Sequence, residues 1–436
     1  MKKYVLLFII GLLTAISHAQ DLKPCGTAML AKHKRGGSLC VRPRQSPNSQ
    51  EEIRHYEGEK KGLIILVEFP DISFTSDNPL RTWTDIANKQ GYAENDAIGS
   101  VSDYFYDQSY GKFRLTFDVV GPVMAAHNHD YYGGNVDWGD DFWFDKNVGE
   151  LVEEVCKGVA DKVSFADYDW EGDGEVDQVF LLYAGHGEND YYSRDSTVIW
   201  PHMASLSLDW EGYEDGIMIQ GKRINVYACS NEISRNGKLA GMGTFCHEFS
   251  HCLGLPDMYD TGTNASVVGS YDLMSQGSYN GDGWCPAGYS SYERYVCGWL
   301  TPGPTDDPAG IVALLPLDKN PAARIYRTSE DANDYYLIEC RRAKSWDTYL
   351  PSHGLMAWHI DYDAEAWAMN EVNNDPDHLR IVRMAVDKIP TAIADISLED
   401  NNVIGVYDLQ GRPADTSSSG LFIVRYSDGT TRKIIR

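Results

Sequence analysis

The run TFCHEFSHCLGLPDMYD, from Thr244 to Asp260, constrains this chain more than any other stretch. His247 and His251 are four residues apart, so on a helix they lie on one face and can aim two imidazoles at one ion. Glu248 borders that face without competing as a ligand. Gly254 permits a left-handed turn that folds the chain back, and Pro256 stiffens the return. Asp257 then comes within reach as an oxygen ligand. HExxHxxGxxD is far more specific than HExxH alone. The bland reading is a core helix whose histidines are hydrogen-bonded internally. Against it stands the Gly-x-x-Asp extension, which completes the three protein ligands that catalytic zinc takes while leaving a position for water.

The rest of the chain bounds where such a centre could work. At 436 residues there is room for two or three domains and a large core. A formal charge of -26 argues against nucleic acid and anionic membranes as partners. The first residues, MKKYVLLFIIGLLTAISHAQ, have a basic start, a short apolar run and small residues before Gln20. They read as a secretory signal peptide over 1–19, too short to span a bilayer, so the expected product is exported, without stable membrane insertion, and monomeric. Export permits disulfides, but nine cysteines cannot all pair. Cys246 and Cys252 point to different sides of one helix and read as packing residues. Cys285 and Cys297 are left open as a pair.

Residues 20–58 are polar and rich in Gly, Pro and Ser, as in a pro-segment or linker. At Gly62 the texture changes. LIILVEF is an apolar run of strand length, Asn147 to Ala160 has a helical stripe, and Asp177 to Gly185 and Ile224 to Ala228 read as further strands. Gly241 to Leu253 reads as a helix ended by Gly254 and Pro256. This predicts an α+β catalytic domain over 59–300, a twisted mixed sheet with an active-site helix. IVALLPL, RIYRT, YYLIECR and GLMAWHIDY predict a β-rich module at 301–390. A tail at 391–436 holds three short strand-like pieces.

HEFSHCLGLPDMYD resembles the zinc site of the M6 family of immune-inhibitor-A-like metalloproteases, within the metzincin group of zincins. That resemblance implies a zincin-like fold and zinc held by His247, His251 and Asp257, since this family uses Asp where most metzincins use a third His. It also implies a methionine turn: SYDLMSQGSYN puts Met274 seventeen residues after Asp257, as an apolar floor rather than a ligand. LIILVEFPD, SVSDYFYDQSYGKF and PAGYSSYERYVCGWL look like the family's first strand, its following helix and turn, and the helix that closes the domain. GLMAWHIDY and WAMNEVNNDPDH look like its post-catalytic module.

The expected chemistry is hydrolysis of peptide bonds in proteins. Zinc lowers the pKa of a water to roughly 7, and Glu248 takes its proton as general base. An oxyanion donor is also needed. Many metzincins use a tyrosine just after the methionine turn, and Tyr279 is the candidate here, five residues after Met274. An exopeptidase on the same site is an alternative, as is an adhesin on an inactive protease fold. The intact Glu248 argues against the adhesin.

A second metal candidate is DYDWEGDGEVD, where Asp169, Glu171, Asp173 and Asp177 alternate and Glu175 would offer its carbonyl. It matches the first half of a calcium loop, but Phe180 stands where the closing glutamate belongs. A solvated acidic turn is the equal alternative. His186, His202, His353, His359 and His378 lack ligand spacing and read as structural. Cys25 could hold a zinc protease latent as a fourth ligand or pair with Cys40. The tail is similar to the C-terminal sorting domain of type IX secretion in Bacteroidota, which would engage secretion machinery and carry the protein across the outer membrane. The alternative is that its strands complete the β-rich module.

Overall fold

The computed structural model describes Thr27, residues 56–137, 143–189, 195–234, 236–304, 314–327 and 330–384, and the backbone of three strands at 403–407, 421–426 and 431–435. Strand β1 (Gly58–Glu68) carries the LIILVEF run. Leu63 to Val67 are at most 2% exposed. A strand buried on both faces needs neighbours on both edges and cover on both sides, which explains why its sequence does not alternate. It pairs in parallel with β2 (Phe113–Met124) and β3 (Val179–His186). The helix α1 (Val101–Gln108) precedes β2 and is closed by a capping box between Ser100 and Asp103. The helix α2 (Val148–Val159) packs its Val and Leu stripe against β1 and β2.

On the far side of β3 lies β5 (Val226–Ile233), again parallel, and beyond it the edge strand β4 (His202–Ser205), antiparallel to β5. The order is β2-β1-β3-β5-β4, a mixed sheet with one antiparallel edge. The expected strand at Ile224 to Ala228 is divided: Ile224 ends a separate short strand, Lys222–Ile224, and Val226 opens β5, which Ser230, Asn231 and Glu232 continue as buried polar residues.

The helix α3 (Gly243–Cys252) packs on β4 and β5. Phe245 and Phe249 stand four apart and anchor it to the sheet, with ring centroids 3.8 Å from Phe180 to Phe245 and 5.6 Å from Phe117 to Phe249. His247 and His251 are each two positions on, about 200° around the helix, and therefore face away from that anchor. Two i,i+4 stripes of different chemistry thus set the helix's rotation. Cys246, Cys252, Cys285 and Cys297 are buried thiols, so Cys285 and Cys297 do not form a disulfide with each other.

Past α4 (Ser291–Val296), a second sheet has the order β6 (Gly303–Pro304), β7 (Arg324–Tyr326), β8 (Asp334–Arg341), β9 (Gly354–Asp361) and β10 (Ile381–Met384). It is tied to the first by buried polar contacts. Ser291 N donates to Glu339 Oε2 at 2.6 Å, and Arg341 donates to Gly288 O at 2.8 Å while pairing with Asp347 and Glu339. The expected strand at IVALLPL is corrected over its described part, 314–317. Leu314 and Leu317 are buried as separate anchors, Leu315 is exposed, and Pro316 cannot donate to a ladder. In the tail, 403–407, 421–426 and 431–435 form a three-stranded antiparallel sheet. Residues 1–19, Cys25 and Cys40 lie outside the described residues. Among the described residues no helix is long and apolar enough to cross a membrane.

Candidate active site

The site is built where α3 ends. Gly254 adopts φ +86°. Its N–H donates to His251 O at 2.8 Å and the Leu255 N–H donates to Ser250 O at 3.2 Å, the two bonds of a Schellman closure. A side chain is strained in this backbone region, so the glycine is what lets the chain double back. The reversal brings Leu255 O onto the ring of His251, whose Nδ1 lies 2.7 Å away. His247 Nδ1 is likewise 2.9 Å from Leu273 O, in the turn that contains Met274. Both imidazoles thus spend Nδ1 on main-chain carbonyls and present Nε2 inward, the partnering that metal-bound histidines commonly have.

Asp257 completes the convergence. Its Oδ1 is 3.1 Å from His247 Nε2 and 3.5 Å from His251 Nε2, and all three side chains are buried. Atoms bound about 2.0–2.1 Å from one tetrahedral ion lie about 3.3 Å apart, so these separations suit a shared zinc. With Nδ1–H donated to a carbonyl, each Nε2 offers a lone pair, and lone pairs facing a carboxylate oxygen need a cation or a proton between them. Burial works to lower the His247 pKa, but Asp257 and Glu248 outweigh it and push it up to about 9. Burial likewise works to raise Asp257, and the two histidines hold it well below the usual carboxylate range.

Glu248 also has an oxygen near this point. His247, Glu248 and His251 each place a potential ligand atom within 4.8 Å of the others. Distance separates the two acids, because Asp257 Oδ1 touches both imidazoles whereas Glu248 opens onto the cleft beside them. Burial raises the Glu248 carboxyl above its ordinary pKa. The cleft holds about 490 Å³ of empty space and is lined by His247, Glu248, Thr244, Gln276, Ser278 and Tyr279 among others. Tyr279, 37% exposed, therefore stands on the same cleft as Glu248. Met274 is wholly buried, and its carbonyl accepts from Met258 N at 2.8 Å, tying its turn to the loop that bears Asp257. The following turn presses so closely on α3 that a Cβ at Gly243 would meet Ser278 O at 1.8 Å.

The stretch that carries this site matches a recognised family. Residues 54–297 match the model of the immune inhibitor A peptidase M6 catalytic domain. The chain belongs to the M6 peptidase family. It is 26% identical over 273 residues to the pre-pro-metalloprotease PrtV of Vibrio cholerae serotype O1, covering 54% of this chain and 29% of that protein. It is 23% identical over 287 residues to Immune inhibitor A of Bacillus thuringiensis subsp. alesti, covering 57% of this chain and 41% of that one. The chain thus aligns with less than half the length of these relatives. Membership makes a metal-dependent peptidase the expected activity, and the His247 cluster has the donor set for it.

The acidic loop is arranged differently. Asp169 accepts from the N–H groups of Gly172, Asp173 and Gly174 at 2.7–3.0 Å and from Lys222 Nζ at 2.7 Å. Asp173 accepts from Glu175 N, Asp177 from Trp170 N, and Glu175 pairs with Arg223 at 2.8 Å. None of these acids, nor Glu171, joins a convergent metal cluster among the described residues. The calcium expectation gains no support. His202 is buried between Trp200 O and Tyr227 OH and pushed down to about 4 by burial, a structural histidine.

Two site residues escaped the sequence reading. Thr27 is fully buried against Glu248. Its hydroxyl accepts from Met203 N at 2.7 Å and shares its proton between Met203 O at 3.0 Å and Glu248 Oε2 at 3.2 Å. Asn370, from the segment after β9, grips Asp257. Nothing near Thr27 signals such a role. The asparagines of WAMNEVNN would have signalled only turns.

Proposed function

We propose that the chain is an exported zinc endopeptidase, with His247, His251 and Asp257 as metal ligands and Glu248 as general base. The observation that carries this is the meeting of both Nε2 atoms with Asp257 Oδ1 at 3.1 and 3.5 Å, beside the buried Glu248. Zinc, when bound, supplies Lewis acidity that makes water acidic near neutral pH and polarises a carbonyl. Glu248 takes the water's proton and returns it to the leaving amine, a role its raised proton affinity suits. Tyr279 is the candidate donor to the developing oxyanion.

The edge strand β4 supports an endopeptidase. Its outer edge is met at Met203 by a hydroxyl on both the N–H and the C=O. An extended substrate running through the cleft could pair with that edge without presenting a terminus. The Thr27–Glu248 contact supports reading the part of residues 20–58 that carries Thr27, ahead of the core residue Tyr56 and of β1, as a pro-segment that must leave before substrate enters. Export through residues 1–19 and sorting through 391–436 belong to the same proposal.

The test is Glu248→Ala. The variant keeps its zinc while casein cleavage falls by about 10²–10⁴-fold; undiminished cleavage sinks the assignment. Cleavage of peptides blocked at both ends separates endopeptidase from exopeptidase. Stoichiometric binding of protein without turnover by the wild type would favour the adhesin.

A further inference from the structure

Asp257 is held by a residue from outside the matched peptidase domain. The Asn370 side chain makes two bonds to it: Nδ2 donates to Asp257 Oδ2 at 2.7 Å, and Oδ1 accepts from Asp257 N at 2.6 Å. Asn370 is fully buried and follows α5 (Ala364–Ala368), beyond the 54–297 match. Around it the same segment binds the rest of the loop. Trp367 Nε1 donates to Gly254 O at 3.2 Å, Asn373 Nδ2 to Met258 O at 2.9 Å, and Thr261 N donates to Asn374 Oδ1 at 2.8 Å.

The clamp has a specific geometric consequence. A carboxylate offers two equivalent oxygens and can rotate, so on its own Asp257 could present either or both to the histidines. Asn370 occupies Oδ2, and Oδ1 is the oxygen that faces His247 and His251. The bond to the Asp257 N–H fixes the backbone from which that carboxylate springs. Only an amide side chain supplies a donor and an acceptor in this pairing; aspartate at 370 would set one acceptor against another. Asn370 also has φ +55°, a conformation asparagine tolerates better than most residues.

We infer that Asn370 is a positioning residue for the metal centre, holding Asp257 as a one-oxygen ligand, so that the site is completed by the segment after β9. This rests on the assignment of His247, His251 and Asp257 as ligands. Outer partners of metal ligands commonly contribute 10–100-fold in affinity.

The experiment measures zinc affinity of the full chain by competition with a chromophoric chelator, and the visible spectrum of the cobalt(II)-substituted protein. Wild type, Asn370→Asp, Asn370→Gly and His251→Ala are compared. Asn370→Asp keeps the shape and the left-handed backbone but replaces the donor of one hydrogen bond by an acceptor; Asn370→Gly keeps the backbone and removes the side chain. Both should bind zinc about 10–100-fold more weakly and shift the cobalt bands, while His251→Ala loses more. If the wild type and His251→Ala bind zinc equally, the ligand assignment fails and the inference with it. If His251→Ala is impaired but a folded Asn370→Asp or Asn370→Gly matches wild type in affinity and spectrum, the inference alone is overturned. Should one variant not fold, the other decides by the same two readouts.

Discussion

Asp257 is buried and Asp169 is half-buried with its side chain covered, both in turns rich in glycine and acid, and the protein neutralises them in opposite ways. Asp257 faces two imidazole nitrogens at 3.1 and 3.5 Å whose other nitrogens are already committed to carbonyls. Asp169 faces three main-chain N–H groups of its own loop and the ammonium of Lys222. Burial works to raise both carboxyls, and in both it is outweighed, by the histidines at Asp257 and mainly by Lys222 and the amides at Asp169. The difference is whether the partners bring protons of their own. Amides and ammonium donate hydrogen and close the site, whereas inward Nε2 lone pairs call for a cation. Counting acids and histidines cannot separate these cases; the direction of the donors does.

The comparison breaks first at Asp257→Asn. The change keeps the shape and removes the charge, so zinc affinity should fall by more than the roughly 100-fold that an outer partner can cost. Asp169→Asn, by contrast, should leave zinc affinity as it was. Equal effects of the two substitutions in chelator competition would show that the aspartates do not differ in kind.

A further pair of acids, Asp272 and Glu293, shows a third solution, which is to keep the proton. Both are buried beneath the turn that holds His247. Burial pushes Asp272 up to about 6, and Glu293 rises well above its usual value through burial and then Asp272. The unfolded value for aspartate is about 3.9. A raised carboxyl binds its proton more tightly when folded, so its contribution to stability is full below pH about 4 and is lost as pH rises through about 6. Asp272→Asn should therefore gain on the wild type by on the order of 2 kcal/mol between pH 4 and 7.5, read from urea unfolding at both pH values. A difference independent of pH would show that the two carboxyls do not share a proton.

The legible parts of this molecule were those whose chemistry is local in sequence. The helix over 243–252, its Gly254 stop and the return to Asp257 follow from spacing of i, i+4 and a single glycine, and the central strands follow from apolar runs. What spacing could not reveal is contact made across more than a hundred residues. Asn370 meets Asp257 across 113 positions, and Thr27 meets Glu248 across 221. Neither residue belongs to a patterned run, since one polar side chain turned inward at a loop has no periodicity. The acidic loop could not be decided from sequence for a related reason: alternate carboxylates look the same whether a calcium ion or Lys222, 53 residues on, lies between them. The stretch IVALLPL misled because apolar anchors of an irregular segment have the composition of a strand.

The smallest expected effect is at that loop. Lys222→Met removes the ammonium and leaves Asp169 with its three amides, a loss of about 1–2 kcal/mol that should lower the melting temperature by a few degrees. Added calcium tests the same point from the other side. A site with the ~10⁻⁴–10⁻³ M affinity of extracellular calcium modules would, at about 10 mM calcium, stabilise the fold by roughly 1.4–2.7 kcal/mol. With zinc held in excess, the wild type should show no such rise, because its carboxylates already have donors and a cation would have to displace Lys222. A rise of that size in the wild type would place Asp169 beside Asp257 as a metal ligand. A rise confined to Lys222→Met would show that the lysine occupies the place a metal could take.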